Sequence, residues 1–475
     1  MEKNNKYLVL TITAITIGFL VRYFYFIQLD GWFDEWNMFY TVDPSLTNIE
    51  TWKRYFGDRG DGGYLPEYYP PINAFILKLF LYTFGNTVEN ARILSLIFGS
   101  GSLVIIYFLS KCFLNTKNSF IVTLLVSLNL FLIWQSSEIR PHSFVVFFSL
   151  LNILLFIKLL DKNFSITLTY LSYILSSILI LSAWPFTLII FFGKIIYLIQ
   201  DFIVNKKKNI FINITIFSSL IIYILLNIDY LLYHLARDEH YTKLYLGFFY
   251  SYHFRSFFGS IFLGGIFLSL FAIMILTNLK NLFLINKKNN LILIIILSSY
   301  FLTIIYSIIG ASVISPKYVI FILPLIILWI VIQTVESKIK YKNHLLLLLI
   351  FFSIINLVIN FFNNPIDRPP TKKLLKIVAN SKTNKIYTHE SLVFNNFVKS
   401  HKIFKKNNLE IGRVSNLTLK DKNFWFLCLN NPRFAVGDNN FQDEKKCDFF
   451  NKKNNYLLKK EIKVIDYILR QYEKN

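Results

Sequence analysis

Two adjacent acidic residues, Asp34 and Glu35, follow the first long apolar stretch of the chain, within Gly31-Trp32-Phe33-Asp34-Glu35-Trp36. Ionisable groups at a membrane boundary lose hydration and persist mainly where they have a function. Neighbouring side chains on a helix point about 100° apart, so these two acids would not act on one atom together. One carboxylate could remove a proton from a hydroxyl while the other orients a partner. The alternative is a solvated start of a loop with interfacial tryptophans.

Two cations near the ends of other apolar stretches have the chemistry of phosphate ligands. Arg140 lies with Glu138 in the polar segment Trp134–His142, and a planar guanidinium binds phosphate oxygens in pairs. Lys317, within Ser315-Pro316-Lys317-Tyr318, is placed to assist it. The alternatives are a capped turn whose arginine extends to the membrane surface and a lysine that anchors a helix in the interface.

A third group of polar residues occupies the segment 230–257. It contains His234, Arg237, His253 and Arg255, which are candidates for contact with a donor or an acceptor. Histidines and aromatic residues near lipid often serve only as anchors, so the segment is equally well explained as a polar outer face.

The sequence does not indicate a metal or another cofactor. Asp58 and Asp61 are possible ligands of a divalent ion, but the glycines around them suit an ordinary turn. The three cysteines have no zinc-site spacing. Cys428 and Cys447, both in the polar tail, can form one disulfide if the tail faces an oxidising space. P-loop, dinucleotide-binding and nucleophile-elbow motifs are also missing from the sequence.

The composition requires a membrane environment for these groups. Apolar residues make up 54% of the 475 residues and aromatic residues 18%, more than the core of a soluble protein of this length can bury. The net charge of +22 could suggest nucleic acid as a partner. The cations, however, fall in short clusters between apolar runs, as in cytoplasmic loops, so nucleic acid binding is not expected.

Apolar runs of about the 20 residues needed to cross a membrane recur along the first three quarters of the chain. We expect eleven transmembrane helices, at 7–28, 92–112, 119–134, 143–160, 165–182, 185–200, 211–229, 258–278, 290–309, 318–335 and 344–362. The first has a long apolar region and no small-residue cleavage site, so we expect it to be retained. The loops that would be cytoplasmic carry the lysine clusters, for example Lys206, Lys207 and Lys208. This pattern predicts a cytoplasmic N-terminus and, after an odd number of spans, an extracytoplasmic tail.

Two segments outside the membrane are long. The first outer loop, 29–91, contains the acidic pair and the apolar stretch 72–84, which is too short to cross and suits an interfacial or re-entrant helix. The tail, 363–475, alternates short apolar runs with helix-like ones. We therefore predict an all-α polytopic membrane domain, 1–362, followed by a small extracytoplasmic α/β domain, 363–475.

This arrangement resembles the C-fold membrane glycosyltransferases of the protein O-mannosyltransferase and lipid A aminoarabinose transferase type. The resemblance rests on the Asp34-Glu35 pair at the end of the first span, a Pro70-Pro71 motif in the same loop, and a Ser-x-Glu-x-Arg-Pro turn at 136–141. It also includes the start of a late span, Lys317-Tyr318, with Pro324 inside that span. It covers the first 160 residues well and the remainder mostly by topology.

The resemblance implies roles for individual residues. Asp34 matches the catalytic acid of the family and Glu35 its neighbour, while Glu138 and Arg140 match the turn motif. Tyr69 stands where many members have a histidine and some a phosphate-binding lysine, so this sequence departs from the pattern there.

The resemblance also implies an activity. The expected reaction is inverting transfer of a hexosyl or pentosyl unit from a polyprenyl-phosphate donor to an acceptor hydroxyl, outside the cytoplasmic membrane. The acceptor could be a lipid, a glycan or a protein. The rival interpretation is a transporter or flippase for a lipid-linked saccharide, with the two acids as a cation-coupling pair. A third is a non-catalytic assembly subunit. The placement of the acids at the outer mouth and the lack of repeated halves favour the enzyme.

Overall fold

The computed structural model describes most of the chain, with gaps in several loops and in the tail. The described residues are 2–28, 30–31, 33–58, 70–161, 166–205, 210–226, 228, 245, 247–282, 289–309, 313–337, 340–362, 370–388, 391–400, 404, 409–414, 422–429, 447, 450, 456–464 and 467–474.

Helices form most of the described residues up to residue 362. They are α1 Glu2–Gln28, α2 Phe33–Thr41, α3 Asn48–Tyr55, α4 Ile72–Phe84, α5 Val88–Lys111, α6 Thr116–Ser127, α7 Leu130–Gln135, α8 His142–Asp161, α9 Ile166–Leu181, α10 Leu188–Asn205, α11 Ile210–Leu226, α12 Arg255–Phe258, α13 Ile261–Leu282, α14 Asn289–Ile309, α15 Leu323–Glu336 and α16 Lys342–Phe362. Short 3₁₀ turns at Pro185–Thr187 and Pro316–Ile322 lead into α10 and α15, and a π-helical segment, Phe249–Phe254, precedes α12.

The predicted fold class, a polytopic helical membrane protein, is confirmed, and each predicted span contains helix. By length and composition, seven helices within the described residues are apolar enough to cross a membrane, and an eighth span is formed if the bent pair Phe249–Phe258 and Ile261–Thr277 counts as one. The predicted spans 165–182 and 211–229 have shorter apolar helices. The predicted span 119–134 is interrupted, because the side chain of Asn129 caps a new helix there. The count of eleven crossings therefore stays a prediction.

The stretch 72–84 forms the 13-residue helix α4, as expected for a segment too short to cross. Its apolar residues Leu79, Tyr82 and Phe84 are exposed. On its other side, the ammonium of Lys78 donates to Leu46 O at 2.7 Å and to Thr51 Oγ1 at 2.8 Å, which fastens α4 to the α2–α3 region. An amphipathic helix of this kind suits the membrane interface.

The tail contains a small mixed α/β fold. Its elements are α17 Thr371–Ala379, β1 Lys385–Thr388, α18 Ser391–Ser400, β2 Glu410–Arg413, β3 Asn423–Leu429, β4 Tyr456–Val464 and β5 Tyr467–Lys474. The sheet order is β2-β1-β3-β5-β4. Strand β1 runs parallel to both β2 and β3, and β5 runs antiparallel to β3 and β4. A disulfide joins Cys428 to Cys447, as the sequence allowed.

The apolar core has two main parts. One lies within the helical bundle and includes Leu103, Ile157 and Trp329. The other is shared between the first outer loop and the tail, since Trp36 and Phe39 of α2 belong to the same buried cluster as tail residues such as Leu374 and Phe394. The acid-bearing helix is thus packed against both halves of the chain.

Polar side chains also lie inside the bundle, among them Lys194 of α10. Its ammonium contacts the side-chain oxygen of Asn152 and lies 3.3 Å from the hydroxyl of Tyr173. The rings of Tyr173 and Phe191 lie 4.8 and 4.9 Å from its nitrogen. Lys194 is fully buried, and its described partners are neutral.

Candidate active site at the outer end of the first helix

The two acids lie in the first turn of α2, immediately after the end of α1. Negative charge is favourable there, because the unpaired backbone amides give the start of a helix a partial positive charge. Their environments differ. The Asp34 side chain is 35% exposed, whereas that of Glu35 is 1% exposed. The helical geometry therefore directs one acid toward solvent and the other into the protein.

Glu35 is held by hydrogen bonds from two other elements. Arg92, in the first turns of α5, donates to both of its carboxylate oxygens, from Nε to Oε1 at 3.1 Å and from Nη2 to Oε2 at 3.2 Å. The backbone amide of Ile139 also donates to Oε1, at 3.0 Å. A two-point arginine contact fixes orientation as well as charge. Glu35 thus joins α2, α5 and the turn that contains Ile139.

Asp34 faces Arg140, the cation at the end of that turn. Nη2 of Arg140 lies 3.6 Å from Oδ2 of Asp34, and the arginine side chain is 5% exposed. This separation is that of an ion pair rather than a tight hydrogen bond. A carboxylate and a guanidinium on a partly open surface can receive a proton and bind an anion side by side.

The turn with Glu138 and Arg140 runs between α7 and α8, as predicted. The hydroxyl of Ser95 on α5 donates to the carbonyl oxygen of Glu138 at 2.5 Å. The Glu138 carboxylate lies 3.9 Å from Nδ1 of His142 and accepts from Nε2 of Gln135 at 3.5 Å. Glu138 therefore points into the turn and helps to shape it, while Arg140 points toward Asp34.

Lys317 lies near the same cluster. The charges of Arg140 and Lys317 both act on the imidazole of His142. The ring of Trp184 packs edge-on against His142, with ring centres 5.1 Å apart, and its Nε1 donates to Tyr318 O at 2.8 Å. Both predicted cations thus lie within electrostatic reach of His142, a residue that the sequence did not single out.

Of the five remaining predicted site residues, the structure describes two, His253 and Arg255. Tyr69, His234 and Arg237 lie outside the described residues. His253 is fully buried and its Nε2 lies 3.1 Å from the hydroxyl of Tyr300. Arg255, two residues later, is exposed.

No cluster of three or more histidine, cysteine or acidic side chains within the described parts of the chain has the arrangement of a metal site. Asp58 is exposed, and Asp61 is not among the described residues. The two-aspartate metal site considered from the sequence therefore lies partly outside the described residues.

Arg22 lies near the end of the first apolar stretch, where the sequence predicts that an arginine extends to the membrane surface, and this prediction is wrong. Its side chain is 1% exposed, and its guanidinium donates inward, to Gly18 O at 3.0 Å, Ser127 O at 3.2 Å and Ser136 Oγ at 3.2 Å. A cavity of about 10 Å³ adjoins it, lined in part by Gln135 and Ser143. Arg22 thus supports the base of the Ser136–Pro141 turn from within the bundle.

Arg92 is the residue that sequence reasoning missed most clearly. It begins a predicted span at an end assigned to the outside, where the positive-inside rule disfavours cations. An arginine that contradicts this rule signals a specific partner. The same argument applies to Arg22, which also lies near a span end assigned to the outside.

Comparison with known proteins shows that the chain has a fold seen in solved structures. No family model matches the sequence, and no curated protein matches it. Among solved structures, the chain is similar to ArnT from Cupriavidus metallidurans in the apo state, with a TM-score of 0.60 and 8% identity over 99% of this chain and 98% of that one. It is similar to the same protein bound to undecaprenyl phosphate, with a TM-score of 0.59 and 8% identity over 98% and 97% of the two chains.

A third similar structure is the apo form of the Archaeoglobus fulgidus oligosaccharyltransferase, with a TM-score of 0.50 and 11% identity over 85% of this chain and 64% of that one. At these identities the likeness concerns the fold. The resemblance drawn from the motifs is therefore confirmed at that level: over almost its whole length, this chain has the fold of ArnT, a lipid A aminoarabinose transferase of the GT-C class.

Proposed function

We propose that this protein is a membrane glycosyltransferase that moves a hexosyl or pentosyl unit from a polyprenyl-phosphate donor to an acceptor hydroxyl. The observation that carries the proposal is the unequal pair: Asp34, 35% exposed, faces Arg140 at 3.6 Å, while the neighbouring Glu35 is buried and fixed by Arg92. A partly exposed base thus lies beside a buried cation that can bind an anion, and the neighbouring Glu35 is fixed by Arg92.

The chemistry matches these groups. The acceptor oxygen attacks the anomeric carbon from the face opposite the phosphate, so a new C–O bond forms as the old one breaks and the configuration inverts. Asp34 takes the acceptor proton, and polyprenyl phosphate leaves with one more negative charge. Negative charge therefore moves from Asp34 to the phosphate. Arg140 lies next to Asp34 and can stabilise the charge in both places.

The leaving group needs little further help. A phosphate is already a stable anion, so a protein acid is less necessary than in hydrolysis of an ordinary glycoside. Lys317 is proposed as a second phosphate ligand, because its charge and that of Arg140 act on the same histidine. Tyr69, His234, Arg237, His253 and Arg255 stay predicted contacts of the donor or the acceptor.

The donor class is supported by the fold and by the position of the site. ArnT, whose fold this chain shares, has been crystallised with undecaprenyl phosphate. The acid pair lies where an apolar helix ends, which is where the phosphate of a membrane-embedded lipid would be. The acceptor is proposed as a lipid, a glycan or a protein that carries a free hydroxyl.

We further propose that this site faces outward from the cytoplasmic membrane, with the N-terminus in the cytoplasm. The lysine clusters support this orientation. So does the pairing of Cys428 with Cys447, since disulfides persist in oxidising compartments. The division at residues 362 and 363 into a membrane domain and a soluble domain is part of the same proposal.

Transfer can be tested with the purified protein in lipid vesicles that contain polyprenyl-phosphate sugars, measured as release of polyprenyl phosphate and as sugar on an acceptor. We expect Asp34→Asn, which keeps size and polarity but not the base, to lower transfer by about 100-fold or more. Asp58→Asn is the matched control, because Asp58 is an exposed acid of the same outer loop. It should transfer at the wild-type rate.

Other outcomes separate the alternatives. Full activity of Asp34→Asn would refute the assigned base. Movement of intact lipid-linked sugar across the bilayer, without release of polyprenyl phosphate, would identify a flippase. Wild-type protein that does neither, with any sugar tested, would point to a non-catalytic subunit.

A further inference from the structure

A hydrogen bond from the first turn of α17 fastens the junction between α1 and α2 to the tail. Oδ2 of Asp30 accepts from the backbone amide of Lys372 at 2.8 Å, and its Oδ1 accepts from the amide of Gly31 at 3.1 Å. The hydroxyl of Thr371 donates to Gly31 O at 3.4 Å. Thr371 and Lys372 are the first two residues of α17.

This contact does the work of an N-cap. The first amides of a helix have no partner within it, and a side-chain oxygen normally accepts from one of them. In α17 the N-cap residue is Pro370, which makes no side-chain hydrogen bond. Asp30 supplies the oxygen instead, from 342 residues earlier in the chain. The N-terminus of α17 is therefore capped by Asp30, a residue that follows α1.

Asp30 is electrostatically part of the acid cluster. Burial raises the pKa of its carboxyl, and the amide of Lys372 and the charges of Lys372 and Arg92 oppose that rise. Arg92 is the same arginine that holds Glu35. Apolar packing reinforces the tie, because the ring of Trp36 occupies the space where a side chain at Gly31 would be. Trp36 is also in the core shared with the tail.

We propose that Asp30 is a positioning residue: by capping α17, it fixes the backbone four residues before Asp34 against the tail and so orients the base of the transfer reaction. This inference rests on the proposed function. It assigns to the tail a direct part in the site, as the element that holds the start of α2 in place.

Amide hydrogen exchange tests the tie without any substrate. In Asp30→Ala the amides of residues 371–375 should lose protection, because the cap oxygen is gone. Asp30→Asn keeps an acceptor oxygen and should restore protection, since asparagine and aspartate cap equally well. Lys372→Ala is the matched control, because it removes the ammonium and leaves the amide that Asp30 binds. Unchanged exchange in Asp30→Ala would overturn the proposed cap.

Turnover tests the positioning role. Loss of a cap corresponds to about a 3- to 30-fold change in an equilibrium, and we expect kcat of Asp30→Ala to fall within that range while KM for the lipid donor stays unchanged. Asp30→Asn and Lys372→Ala should stay within about twofold of wild type. Wild-type kcat in Asp30→Ala, or an equal change in KM, would overturn the positioning role.

A second variant tests the same hydrogen bond in case Asp30→Ala misfolds. Lys372→Pro removes the donor amide from the other side, and proline is tolerated in the first turn of a helix. The double variant should be no worse than either single one, because both remove the same bond; fully additive effects would contradict the proposal. A wild-type protein without transfer activity would refute the proposed function alone, since the exchange results stand independently of it.

Discussion

The mouth of the bundle, where α1 meets α2, and the interior of the bundle hold charge in different ways. At the mouth, cations meet carboxylates: Arg92 pairs with Glu35, and Arg140 faces Asp34. In the interior, Lys194 is surrounded by an amide oxygen, a hydroxyl and aromatic rings, and Arg22 donates to two carbonyl oxygens and a hydroxyl. Within the described parts of these two regions, charges of both signs thus meet at the mouth, and Asp34 is the most exposed of the four side chains named there.

This difference separates residues that can react with a substrate from residues that hold the structure together. A buried ion pair is costly to break, because the charge left behind has neither water nor a partner. A half-exposed carboxylate can be altered with little loss of stability, because water replaces its partner. Glu35 and Asp34 are adjacent in the sequence and fall on opposite sides of this division.

The largest effect on stability is expected at Glu35. Glu35→Gln removes the carboxylate that both Nε and Nη2 of Arg92 bind, which should lower the free energy of unfolding by about 3–5 kcal/mol. Asp34→Asn should lower it by less than about 0.5 kcal/mol. Thermal unfolding in detergent measures both. Adding Arg92→Gln to Glu35→Gln should recover part of the loss, and equal losses in the Asp34 and Glu35 variants would break the comparison.

An intermediate effect is expected at Arg140, on turnover rather than stability. Arg140→Ala should lower transfer by about 30- to 1000-fold, as for loss of a charged contact to the transition state. Arg140→Lys should recover only part of this activity, because an ammonium lacks the paired donors of a guanidinium. Single-turnover assays with a polyprenyl-phosphate sugar measure this. Normal turnover in Arg140→Ala would assign the residue to the structure of the turn.

The smallest effect is expected at Lys194, the interior cation. Lys194→Met removes a buried amine but leaves the side-chain oxygen of Asn152 without that donor, so the two contributions oppose each other. We expect transfer within about twofold of wild type and a free energy of unfolding within about 1 kcal/mol of it. A folded Lys194→Met protein without activity would show that the interior cation is also functional.

The sequence predicted the helical membrane fold because apolar runs and lysine clusters are strong, local signals. It also predicted a small α/β domain in the tail, where the short apolar runs that contain Ile386 and Phe426 form β1 and β3. It placed Asp34, Glu35 and Arg140 in one site through motifs. Their proximity is now seen at 3.6 Å between Asp34 and Arg140, whereas their chemical roles stay predictions.

The features of the fold and the site that the sequence did not predict depend on contacts between residues that are far apart in the chain. Neighbouring acids look alike in a sequence, so the burial of Glu35 becomes visible only when Arg92 is placed beside it. The cap from Asp30 to Lys372 has no local signature, because the amide that it satisfies belongs to the backbone. Arg22 was assigned to the surface because it lies near a helix end, and the inward direction of its side chain was not predictable.

The shared core has a consequence for the order of folding. Trp36 and Phe39 are synthesised near the beginning of the chain, and their partners Leu374 and Phe394 near its end. Contacts between such distant segments close large loops and form late. The helix with the two acids can thus reach its final packing only after the last quarter of the chain has been made. A chain cut before residue 370 would lack half of the core that holds α2, and with it the surface on which Asp34 is oriented.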